Sequence, residues 1–217
     1  MKHNKTERTE KIINAITWEM NDKMEGMSSL SSCPTDNEHC KKQSKVKNSI
    51  CSHCFAMTMN KRFTNLRNKL HRNTELLTAE VIPAEEMPIL NRAYFRFESF
   101  GDLINTIQVK NYFNLCKANP DTRFALWTKH PEIIALLLKT GEKKPNNLNI
   151  IYSSYMLNDR NDVIMNKYSF IDKVFTVYTS DYIKENSVKI NCGANYCLGC
   201  LKCYKKNSVK HISEKLK

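Results

Sequence analysis

Tyr94-Phe95-Arg96-Phe97-Glu98-Ser99-Phe100-Gly101-Asp102 is the stretch that decides the fold. Residues 92–98 form an aromatic-rich run, and Ser99, Gly101 and Asp102 end it with turn formers, so it reads as a strand leaving into a loop. A helix follows to about Ala118, where Asn119-Pro120 stops it. Residues 122–128 give a second strand. Pro131 then opens a helix through Ile133, Ile134, Leu137 and Leu138 to Gly141, with proline and glycine at the ends they favour. Residues 147–153 and 172–179 supply a third and a fourth strand. Strands alternating with helices in this way predict an α/β fold, in which parallel βα repeats form a partial or small TIM-barrel-like sheet.

Parallel sheets carry their working residues at the C-terminal ends of the strands. That rule selects Glu98, Ser99 and Asp102, then Thr128, Lys129 and His130, then Ser153 and Ser154, then Thr179, Ser180 and Asp181. Glu98, Ser99, Asp102, Lys129, His130 and Ser153 are the pocket candidates. Each also has an ordinary role as a turn or cap residue, His130 sitting where a cap belongs before an N1 proline. No carboxylate pair, nucleophile triad or glycine-rich phosphate loop stands out, so no acid–base role is assigned.

Eight of the nine cysteines flank this middle. Cys192, Cys197, Cys200 and Cys203 follow C-x4-C-x2-C-x2-C spacing, so tight that one polynuclear centre explains them better than four separate side chains. Structural zinc more often uses two C-x2-C knuckles separated by a longer loop, so the spacing favours an iron–sulfur cluster of the 4Fe-4S kind, with zinc as the alternative. Gly193 and Gly199 are expected to supply positive φ angles where the backbone wraps the centre. Cys33, Cys40, Cys51 and Cys54 form a C-x6-C-x10-C-x2-C group that suits either metal, so one or two centres are expected. His39 and His53 adjoin it as solvated or supporting groups, and Cys116, inside a helical pattern, is a plain core residue.

The chain has 217 residues, enough for one buried domain, divided as an N-terminal helix (1–28), a first cysteine group and basic helix (29–75), a βα core (76–183) and a C-terminal cysteine cluster with a basic tail (184–217). Net charge is +12. The two cysteine-bearing ends hold all of that excess, since residues 76–183 carry 12 Lys/Arg against 12 Asp/Glu. Such ends fit nucleic acid or an anionic ligand, and equally offset the negative charge of thiolate centres. No segment approaches a membrane span and the first residues lack an apolar signal, so a cytoplasmic protein with reduced thiols is expected. Residues 7–24 predict an amphipathic helix with Ile13, Ile16 and Met20 inward and Gly26 as its stop. Another helix starting at Phe55 would bury Met59, Phe63, Leu66 and Leu70 and turn Arg62, Arg67, Lys69 and Arg72 outward.

Ser32-Cys33-Pro34 with Cys40, Cys54-Phe55-Ala56, Phe95 to Asp102, Trp127-Thr128-Lys129 and the closing cysteine run, taken in that order, resemble the phage-associated gene product 88 family over roughly residues 30–204. That resemblance implies a mobile-element origin, hence a host-cell cytoplasm, and a cysteine-ligated centre on a barrel-like β/α fold, without supplying a reaction. The Cys51-Ser52-His53-Cys54-Phe55-Ala56 corner is also similar to the cluster loop of radical S-adenosylmethionine enzymes. The usual C-x3-C-x2-C loop and a Gly-Gly-Glu segment are missing, and Glu98 to Asp102 occupy the latter's place. The expectation is an iron–sulfur protein with a redox or radical role; a zinc-stabilised module binding nucleic acid or a host protein is the alternative. A hydrolase or transferase using the strand-end residues ranks last.

Overall fold

The computed structural model describes residues 2–18, 22–193 and 196–216. Chain order runs α1 (Lys2–Ala15), β1 (Thr17–Trp18), β2 (Ser28–Leu30), α2 (Glu38–Gln43), α3 (Phe55–Arg62), α4 (Thr64–Ala79), β3 (Tyr94–Phe97) and α5 (Thr106–Ala118). It continues with β4 (Arg123–Thr128), α6 (Pro131–Leu138), β5 (Leu148–Ser153), α7 (Ile164–Lys167), β6 (Lys173–Tyr178), α8 (Ser180–Asn186), α9 (Cys197–Cys200) and β7 (His211–Lys215). Strands β2 to β7 lie side by side in chain order, every neighbouring pair parallel, and β1 joins β2 antiparallel at the edge. The four expected strands are therefore β3 to β6 of a six-strand parallel sheet. The strands form a row from β1 to β7, and no pairing joins those two among the described residues.

Period-two alternation gives the sheet two different faces. Phe95, Phe97, Phe124, Leu126, Leu148, Ile150 and Val174 point into the larger core, with Ile12 of α1, Leu77 of α4, Tyr112 and Phe113 of α5 and Ile134 of α6. Phe97 stacks between Tyr112 and Phe124, at ring-centre distances of 4.2 and 5.3 Å. Cys116 is fully buried in this core, as its helical context predicts. The opposite face presents Tyr94, Ala125, Trp127, Ile151 and Phe175 to Met27, Leu198, Leu201 and Tyr204. Helices cover one side, and the cysteine-bearing C-terminal segment covers the other.

Both N-terminal helices differ from expectation. The first ends at Ala15, because side chains of α4 take its terminal carbonyls: Asn73 Nδ2 donates to Ala15 O at 3.0 Å and Lys69 Nζ to Ile16 O at 2.7 Å. Thr17 and Trp18 then enter the sheet. Ile12 and Ala15 face inward while Ile13 is 52% exposed, and Met20 lies outside the described residues. The helix from Phe55 is broken at Phe63, whose extended backbone caps both α3 and α4. Of its expected stripe Leu70 is fully buried, whereas Phe63 is exposed beneath the Arg62 guanidinium.

Candidate functional site

The strand ends and both cysteine groups meet at one cavity of about 450 Å³. Glu98, Ser99 and Asp102 line it after β3, Lys129 after β4 and Ser153 at the end of β5, together with Cys51, Cys54, Cys192, Cys197, Cys200 and Cys203. His130, Cys33 and Cys40 are not among its lining residues. Chain segments far apart in sequence are held there by backbone hydrogen bonds. The loop before Cys51 is stitched to the end of β5 by Ile50 N to Tyr155 O at 2.8 Å and Leu157 N to Asn48 O at 2.9 Å. Cys192 N donates to Ser213 O of β7 at 2.9 Å, and Asn149 Nδ2 of β5 donates to Cys203 O at 2.9 Å.

Cys40, Cys51 and Cys54 share an electrostatic environment with Asp102 and Lys129. Burial, then Asp102, pushes the Cys40 thiol far above its usual range; burial likewise raises Cys51, and Lys129 pulls it back. Cys54 caps α3, its Sγ 3.5 Å from Met57 N. Cys33 is placed elsewhere. It is fully buried, with Thr35 Oγ1 at 3.1 Å and Asn60 Nδ2 at 3.4 Å from Sγ, beside Asp36 and His71.

The four C-terminal thiols interact with one another. Burial raises all of Cys192, Cys197 and Cys203, the last to about 12, and two cations oppose it. Lys23 Nζ sits 3.1 Å from Cys192 Sγ and 2.7 Å from Glu214 Oε1, while Arg96, lying 4.0 Å over the Trp127 ring, favours the charged forms of Cys197 and Cys203. The glycines depart from expectation: neither Gly193 nor Gly199 has a positive φ, and Leu201 takes the left-handed conformation at 52° instead. The short helix α9 ends there, so the bend falls one step beyond Cys200.

Among the strand-end candidates, Glu98 has the most unusual setting. It combines a φ of 57° with complete burial and takes contacts from Ser32 N, Ser32 Oγ, Gln108 Nε2 and the Tyr112 hydroxyl. Burial pushes its pKa up from 4.5 to about 7, against the pull of those donors. Asp102 is occupied by its own loop, accepting from Thr128 Oγ1 at 2.6 Å and Lys129 N at 3.0 Å, which locks the β3–α5 connection onto β4. Lys129 Nζ reaches Ser153 Oγ at 3.2 Å. The Ser99 hydroxyl is buried and has no partner among the described residues. His130 pairs with Glu132 and meets the edge of His39, their ring centres 3.6 Å apart; the Nε2 atoms of both are buried and have no partner among the described residues. Burial, then His130, lowers the pKa of His39. Ser154 is buried, Thr179 caps α8, and Ser180 and Asp181 open that helix. Sequence reading missed Lys23 and Arg96, which lie far from the cysteines in the chain and carry no motif.

A parallel α/β sheet with helices on one side and a thiol-lined, cation-flanked cavity on the other defines the class. Residues 1–217 match the Gene product 88 family, and the chain belongs to it. No curated protein and no solved structure matches the chain. Among the described residues, no helix is long and apolar enough to cross a membrane.

Proposed function

We propose that this chain is an iron–sulfur protein of redox or radical type, with Cys40, Cys51 and Cys54 as one ligand set and Cys192, Cys197, Cys200 and Cys203 as another. The observation that carries the proposal is the convergence of Cys51 and Cys54 with the four C-terminal thiols on one cavity flanked by Lys23, Arg96 and Lys129, with Cys40 in the electrostatic reach of Cys51 and Cys54. Four cysteines saturate a cubane and leave it to electron transfer or structure. Three cysteines leave one iron for a small molecule, and the similarity of Cys51 to Ala56 to a radical-enzyme corner makes S-adenosylmethionine the first ligand to try.

Anaerobic reconstitution tests the proposal. The expected product absorbs near 400 nm and holds iron and acid-labile sulfide in equal amounts, part of which is lost in Cys51→Ser and the rest kept by the C-terminal set. Reductive cleavage of S-adenosylmethionine would establish the radical role. Stoichiometric zinc without sulfide would sink the proposal and support a zinc-stabilised module, whose binding of nucleic acid should then weaken steeply with salt.

A further inference from the structure

We infer that Cys33, Asp36 and His71 form a separate mononuclear site for a zinc-type divalent cation, distinct from the cavity. Among the described residues, only these three bring ligand atoms of three side chains within 4.8 Å of one another. Thiolate, carboxylate and imidazole make a mixed donor set that suits zinc, and three protein ligands leave a fourth position for water or a neighbouring oxygen.

The local backbone builds the site. Cys33-Pro34-Thr35-Asp36 closes as a turn, with Asp36 N donating to Cys33 O at 3.1 Å, and this folds the Asp36 carboxylate back over the thiol. Cys33 N donates to Thr74 Oγ1 at 2.8 Å, fastening the turn to α4 three residues beyond His71, on the same face of that helix. Asp36 Oδ2 lies 2.7 Å from His71 Nδ1. Asn60 Nδ2 donates to Thr35 Oγ1 at 2.9 Å and lies 3.4 Å from Cys33 Sγ. The Asn60 Oδ1 atom, on a side chain with no exposure, has no partner among the described residues. An orphaned buried oxygen costs about 1–3 kcal/mol. Cys33 lies too deep for a nucleophile, whereas Asp36 and His71 reach solvent, with side chains 26% and 40% exposed, and give a cation a way in.

Binding would exchange the Asp36–His71 hydrogen bond for coordination, the proton of that bond passing to His71 Nε2 or to solvent, and would release the Cys33 thiol proton to solvent; no electron moves. The ion would pin the β2–α2 turn to α4. The decisive measurement is metal content of full-length protein from zinc-supplemented cells, purified anaerobically, with iron and sulfide counted on the same samples. One zinc per chain is expected, lost in Asp36→Asn and His71→Gln with iron and sulfide unchanged. X-ray absorption at the zinc edge of the wild type, which needs no variant to fold, should show a single sulfur near 2.3 Å among lighter ligands at about 2.0–2.2 Å. Absence of zinc, zinc that both variants retain, or a zinc shell of three or four sulfurs would overturn the assignment. Absence of iron and sulfide would overturn the cluster proposal alone.

Discussion

Replacing Glu98 by glutamine should remove the fall in stability that Glu98 imposes between about pH 5 and 8. Ser32 Oγ lies 3.0 Å from both Glu98 Oε2 and Asp102 O, yet a hydroxyl has one proton to give. When Glu98 is protonated, it can donate to Ser32, which donates onward to Asp102 O, and every member is satisfied. When Glu98 is ionised, Ser32 must turn to it and abandon that carbonyl. With the folded pKa near 7 and the unfolded one near 4.5, the folded state holds the proton more tightly throughout that interval. Stability is therefore full below about 4.5 and declines as pH rises towards 7, by a total of about 3 kcal/mol at 1.36 kcal/mol per pKa unit. Glutamine presents an N–H to Ser32 Oγ and an oxygen to Tyr112 and Gln108 at every pH; its N–H also faces the Ser32 backbone N–H, a cost that does not change with pH. Urea unfolding of wild type and Glu98→Gln under anaerobic conditions at pH 5, 6, 7 and 8, followed by circular dichroism, should show the variant gaining about 2–3 kcal/mol on the wild type across the series. Parallel profiles, separated by a constant amount, would refute the reasoning.

Gly101→Ala would place a Cβ 2.3 Å from Ser32 Oγ, 2.6 Å from Ser32 O and 2.7 Å from Glu98 Oε2. Since one of these is backbone, the substitution should cost about 3 kcal/mol and lower Tm by roughly 6–12 °C in a calorimetric scan. Cys116→Ala, in the helix-side core, should cost about 1–2 kcal/mol in urea unfolding while leaving bound iron at the wild-type level. Lys173→Met deprives Asn207 Oδ1 and Val209 O of a donor at 2.8 and 2.6 Å. A loss of about 1–3 kcal/mol is expected, seen as faster hydrogen exchange in β7 before the rest of the sheet.

Strands β3 to β6 were legible because each is an aromatic or β-branched run bounded by turn residues, and the helices between them carried proline and glycine at their ends. Ser28-Ser29-Leu30 and His211-Ile212-Ser213-Glu214-Lys215 lack that signature, and their pairing is set by neighbours already in place. Of the residues the strand-end rule selects, Glu98, Ser99, Asp102, Lys129 and Ser153 line the cavity. The rule had no access to their roles, since the donors that define Glu98 come from residues 32, 108 and 112. Counting thiols gave two groups of four, but proximity along the chain does not fix direction. The Cys33 turn faces α4, and the companions of that thiol, Asp36 and His71, are separated by 35 residues.

Strand β7 reaches its place beside β6 only after the chain has travelled through α8 and the segment holding four thiols, which together make the crossover that a parallel pair requires. The final rung of the sheet is thus coupled to whatever that crossover carries. Oxidant or chelator acting on the thiols should first be felt as fraying along Val174–Tyr178 and His211–Lys215, while the aromatic stack around Phe97 stays intact, so the molecule would lose its margin before its centre.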